Sequence, residues 1–68
     1  MSIRDKRLAA GMTQVDVAKK LLVDQSTVSN WELGRNPPLL KYQKQLAKMF
    51  RCTIEDIMEG YTDAKSQP

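Results

Sequence analysis

Between Asp24 and Gly34 lie Gln25, Ser26, Thr27, Ser29 and Asn30, five side chains that combine amide and hydroxyl chemistry with no formal charge. Such residues are mediocre helix formers because their polar groups compete for backbone hydrogen bonds, so stability alone does not recommend them. Amides and hydroxyls donate and accept together. A Gln or Asn amide matches the adenine N6 and N7 pair, and a Ser hydroxyl is compatible with several bases. On a helix these residues form a face suited to base edges in a DNA major groove; the plainer alternative is a solvated polar face at a Ser/Thr-rich helix start.

Groups suited to phosphate flank that face. Gln14 stands where a helix is predicted to begin, and the free amides and dipole of a helix N-terminus favour an anion. Arg35 and Asn36 follow the polar face, and Lys41 and Lys44 open the next segment. Contacts of this kind fix register on a duplex while carrying little sequence information. Lys19 and Lys20 fit phosphate contact and simple solubilisation equally.

Positioning these groups falls to five short segments with helical spacing and no period-two alternation, an all-α pattern. Ser2 is placed to cap a first helix running to Ala10, with Gly11 at the left-handed position beyond it. Thr13 caps a second helix, Gln14 to near Leu21. After Leu22, Val23 and Asp24 a third helix starts at Gln25, the Asp24 carboxylate accepting from its free amides, and Gly34 closes it. Pro37 and Pro38 make Arg35 to Pro38 a loop. A fourth helix follows over roughly Leu39 to Phe50. Thr53 and Asp56 form a capping-box pattern opening a fifth helix through Glu59, stopped by Gly60.

Two helices of about eight residues around a three-residue turn, Thr13 to Gly34, have helix-turn-helix spacing. The expected core is Val17, Ala18, Leu21, Val28, Trp31, Leu40, Leu46, Ala47 and Phe50, joined by Ile3, Met12, Val23, Cys52, Ile54 and Ile57. Trp31 stands three residues after Val28, which assigns it to the core and not to stacking on a base.

Sixty-eight residues, 28 % charged and 41 % apolar, suit one small domain and exclude a large enzyme. Residues 54–68 hold Glu55, Asp56, Glu59 and Asp63 against Lys65, a local −3, so the net +3 leaves +6 on residues 1–53. A basic body suggests a polyanionic partner. With no His and only Cys52, Cys/His metal sites, Ser-His-Asp and Cys-His catalytic arrangements and an internal disulfide are all excluded. Cys52 reads as a small buried hydrophobe in a reducing, cytoplasmic setting. There is no long apolar run or leader, and the basic residues are too dispersed for a membrane-surface helix. Asp5, Asp16 and Asp24 read as caps or solvated charges, and no glycine loop suited to phosphate occurs. No enzyme, cofactor, metal or small-molecule substrate is expected.

The stretches MTQ, VA, QSTVSNWELG and LAKMFRCTIEDI resemble the Cro/CI-type (xenobiotic-response-element, XRE) helix-turn-helix domains of phage repressors and bacterial transcriptional regulators, from Ile3 to about Glu59. The resemblance implies a compact five-helix bundle of the lambda-repressor-like DNA-binding fold. It also implies that Gln14 holds a phosphate, that Gln25, Ser26, Ser29 and Asn30 face the major groove, that Thr27 lies near the DNA backbone, and that Arg7 pairs with Glu32. The chain departs from the family at Leu22, where Gly is common, and at Lys6 and Gln43, where apolar residues are common.

The expectation is therefore a DNA-binding domain over residues 1–60, with a polar, disordered tail over 61–68. Its function is that of a sequence-specific regulator of double-stranded DNA, a repressor above all, with helix 25–33 reading operator half-sites. One such helix reads only a few base pairs, so a homodimer on an inverted repeat is expected, with half-sites about 34–36 Å apart. Ile54, Met58 and Tyr61 are the candidate dimer contacts, although Met58 equally suits closing the core. The alternative function is a protein-interaction module such as an antitoxin, antirepressor or bridging factor.

Overall fold

The computed structural model describes residues 2–66. Its five helices are α1 (Ile3–Ala9), α2 (Gln14–Leu21), α3 (Gln25–Glu32), α4 (Leu40–Phe50) and α5 (Ile54–Ser66), with no strand among the described residues. Three of the helices start in the same way. Ser2, Thr13 and Thr53 accept the backbone N–H of Asp5, Asp16 and Asp56 at 3.2, 3.0 and 3.0 Å, and each Asp carboxylate accepts the cap's own N–H in return. These reciprocal bonds satisfy donors that a helix start leaves open.

Asp24 departs from expectation: it is the N-cap of α3, but its side chain makes no capping bond. The Thr27 N–H donates at 3.0 Å to the Asp24 backbone carbonyl, which takes the amide a carboxylate cap would use.

Four turns share one geometry. Gly11, Leu22, Gly34 and Arg51 have φ of 71°, 59°, 76° and 55°, and the next residue in each case donates back five positions. The left-handed conformation is open to Gly but costs other residues roughly 1–2 kcal/mol. Leu22 and Arg51 bear that strain.

Ile3, Val17, Ala18, Leu21, Val28, Trp31, Leu46, Ala47 and Ile57 form the core, where α1 and α2 pack on α3 and α4 packs on α5. Phe50, Met12, Val23, Cys52 and Ile54 are half-buried against it. Leu40 is not in the core, being 57 % exposed; Pro38, just before it, is buried instead.

The fifth helix does not stop at Gly60 but continues to Ser66. Glycine inside a helix costs about 1 kcal/mol, which tertiary packing can outweigh. Here Tyr61 is half-buried against the core and its hydroxyl donates to the Trp31 carbonyl. Gln67 and Pro68 of the expected tail lie outside the described residues.

Candidate nucleic-acid interface

α3 has two faces. Val28 and Trp31 point into the core, and the Trp31 ring lies 5.5 Å from that of Tyr42 at 44°. At 100° per residue, Gln25, Ser29, Ser26 and Asn30 fall within about 140° of arc away from them. Gln25 and Ser26 are exposed, and Thr27, Ser29 and Asn30 are half-buried.

A chain of polar side chains runs from the interior to this face. Arg7, 8 % exposed, donates from Nε to Glu32 Oε2 at 2.6 Å, from Nη2 to Glu32 Oε1 at 3.2 Å and from Nη1 to the Met12 carbonyl at 2.9 Å. Buried charges are stable only when paired and hydrogen-bonded, as these are. The hydrogen bond to Glu32 raises the Arg7 pKa above its ordinary value, against the desolvation that lowers it. Gln14 Nε2 then donates to Glu32 Oε1 at 3.0 Å, and Gln14 Oε1 accepts from Gln25 Nε2 at 3.3 Å. Gln14 is thereby held between the ion pair and the start of α3.

Arg35 and Asn36 are exposed on the loop after α3, and the Arg35 N–H donates to the Asn30 carbonyl at 3.0 Å. Lys41 and Lys44 are exposed at the start of α4, with Lys41 Nζ 4.9 Å from the centre of the Tyr42 ring. Ile54, Met58 and Tyr61 are half-buried against the core of their own chain. Cys52 is half-buried, and burial raises its thiol pKa.

The hydrogen bonds of Gln14 to Glu32 and Gln25 escaped the sequence reading, since they join residues 18 and 11 positions apart. The bond from Gln43 Nε2 to the Pro38 carbonyl, 2.9 Å, has no signal in the sequence beyond the amide itself. Among the described residues, no helix is long and apolar enough to cross a membrane.

A paired α2–α3 bracket with an outward amide and hydroxyl face defines a helix-turn-helix protein of all-α, five-helix build. The helix-turn-helix family model matches residues 3–57, and the chain belongs to that family, in its Cro/CI-type (XRE) branch. It is similar to a helix-turn-helix-type transcriptional regulator of Methanocaldococcus jannaschii, 43 % identical over 51 residues, 75 % of this chain and 77 % of that protein. A regulator of Archaeoglobus fulgidus is 38 % identical over 55 residues, 81 % of this chain and 79 % of the other. The transcriptional activator BcrR of Enterococcus faecalis is 29 % identical over 58 residues, 85 % of this chain but 28 % of BcrR, so the chain spans little more than a quarter of that relative's length. No solved structure matches.

Proposed function

We propose that this chain is a sequence-specific double-stranded-DNA-binding transcriptional regulator that reads operator half-sites with α3 in the major groove. Gln25, Ser26, Ser29 and Asn30 meet base edges. Gln14, Thr27, Arg35, Asn36, Lys41 and Lys44 contact phosphate and set the register. The observation that carries this reading is the hydrogen-bonded order of the face itself: Gln25 is tied through Gln14 to a neutralised ion pair, which holds an adenine-matching amide outward at little entropic cost.

Two copies on an inverted repeat supply the specificity one short helix lacks. We assign their contact to the neighbourhood of α5, with Ile54, Met58 and Tyr61 contributing the surface left by intramolecular packing. Repression by occupying the operator is the simplest outcome of such binding. BcrR is named an activator, and the same docking activates where the site lies beside a promoter instead of across it.

Selection of duplexes from a random pool, followed by titration of Gln25→Ala, Asn30→Ala and Arg35→Ala, tests the proposal. The first two variants should each lose about 1–3 kcal/mol on the selected site and relax discrimination. Arg35→Ala should weaken all sequences alike and reduce the salt slope by about 0.9. Unchanged affinity of Gln25→Ala and Asn30→Ala for the selected duplex would overturn the assignment of the reading helix. Salt-independent, unselective binding by the parent would overturn the function.

A further inference from the structure

We infer that Gln43 is a positioning residue for the phosphate contacts, acting through the loop that joins α3 to α4; this rests on the DNA-binding function proposed above. That loop carries Arg35 and Asn36, and its two ends are held differently. At the first, the Arg35 N–H is bonded to the carbonyl of Asn30 in the reading helix. At the second, Leu39 caps α4 with no side-chain bond, and its carbonyl accepts the Tyr42 and Gln43 N–H groups at 2.9 Å. Between them Pro37 and Pro38 have no N–H to donate. Among the described residues, the bond from Gln43 Nε2 to the buried Pro38's carbonyl is the one side-chain hydrogen bond reaching residues 35–39.

An apolar side chain at position 43 would have no donor for the Pro38 carbonyl. Gln43 instead fixes that carbonyl from the first turns of α4, the helix that also bears Lys41 and Lys44. The loop is thus clamped between the reading helix and the lysine-bearing helix, and Arg35 and Asn36 are presented at one spacing from both. Gln43 itself touches no DNA in this arrangement. Preorganisation of this kind raises affinity by lowering the ordering cost of binding.

The test uses Gln43→Met, which keeps the length and removes the donor, and Gln43→Leu, which also removes the donor with a shorter, branched side chain. Both should fold and melt somewhat below the parent, by about what one hydrogen bond contributes. Their affinity for mixed-sequence duplex should fall about three- to tenfold, and the slope of log K against log salt should become shallower by about 0.5–1, the loss of up to one phosphate contact. The ratio of selected to mixed-sequence affinity should hold, because the base-reading face is untouched. In an Arg35→Ala/Asn36→Ala background the Gln43 substitutions should have no further effect on binding. In the free protein, the Arg35 and Tyr42 amide hydrogens, bonded to the Asn30 and Leu39 carbonyls at the two ends of the loop, should exchange faster in both variants.

Parent-like affinity and slope in folded variants overturn the inference, as does an equal loss in the Arg35→Ala/Asn36→Ala background or unchanged exchange at Arg35 and Tyr42. A parent without salt-dependent DNA affinity overturns the underlying function instead, and that failure is recognisable because it appears before any substitution is made.

Discussion

Gln14 Nε2 lies 3.0 Å from Glu32 Oε1, on a carboxylate already neutralised by Arg7, and this contact joins the start of α2 to the end of α3. An acid near DNA would repel phosphate. Glu32 does not, because its charge is met by Arg7 and its free lone pair by the Gln14 amide.

Gln14→Met removes both of that side chain's bonds while keeping its bulk. Stability should fall by about 1.5–3 kcal/mol, chiefly the worth of the hydrogen bond to the charged Glu32 carboxylate, the exposed bond to Gln25 adding little. Discrimination at the base facing Gln25 should relax, and adding Gln25→Ala should have less than its independent effect, since the two act as one unit. A double-mutant cycle of affinities on the selected duplex and its single-base variants measures this coupling.

Glu32→Ala leaves Arg7 charged, buried and unpaired, a change that costs about 3–5 kcal/mol. A domain of this length has only about 3–10 kcal/mol in total. The variant should therefore be largely unfolded or close to it, as urea denaturation followed by circular dichroism would register. Arg7→Met combined with Glu32→Leu should recover most of that loss, because an apolar pair needs no mutual neutralisation. It removes the acceptor for Gln14, so DNA affinity should stay reduced although the fold returns.

Leu22→Gly and Arg51→Gly should each stabilise the protein. Both residues hold left-handed conformations, at φ of 59° and 55°, and Leu22 is 91 % exposed, so truncation loses almost no packing there. Relief of roughly 1–2 kcal/mol of strain, less the flexibility Gly adds to the unfolded chain, leaves about 0.5–1 kcal/mol. Thermal melting should rise by roughly 2–8 °C for each substitution. Gly11→Ala and Gly34→Ala should move the other way. Beyond the adjoining residues no atom lies within 4 Å of the added Cβ at either site, so backbone conformation is the cause.

Acid should weaken the fold through its caps. The Asp16 and Asp56 carboxylates lie below the ordinary carboxylate range, chiefly because of backbone hydrogen bonding with Thr13 and Thr53 and then because of the threonine hydroxyls. A lowered folded-state pKa means that the stabilisation is complete above the unfolded value of about 3.9 and is lost as pH falls through the lower folded one. Melting temperature should therefore decline on acidification in that range. Asp16→Asn with Asp56→Asn should flatten the decline, and melting curves at a series of pH values would record the difference.

The elements were largely legible in the residues because their signals are local. Ser2, Thr13 and Thr53 stand three positions before an Asp, and Gly11 and Gly34 mark two of the four left-handed turns. Val28 and Trp31 face inward on the spacing alone. Three residues break their local signals. Asp24 has a cap's identity but yields its amide to a backbone carbonyl, Leu40 has a core residue's spacing but lies beside a buried Pro38, and Gly60 has a stop signal overridden by Tyr61. At Asp24 the competitor is the residue's own backbone carbonyl, whereas at Gly60 it is a contact with the distant Trp31.

By itself, then, the order of residues determined five helices, their starts, and an uncharged polar stripe opposite an apolar one, since such preferences act across three or four positions and need no partner elsewhere. Only the tertiary structure decided that Gln14 bridges Glu32 and Gln25, that Tyr61 carries α5 beyond its glycine, and that Gln43 secures the loop after α3. A long side chain can reach many atoms from one backbone position, and which of them it meets is set when helices distant in sequence pack at a particular distance and angle.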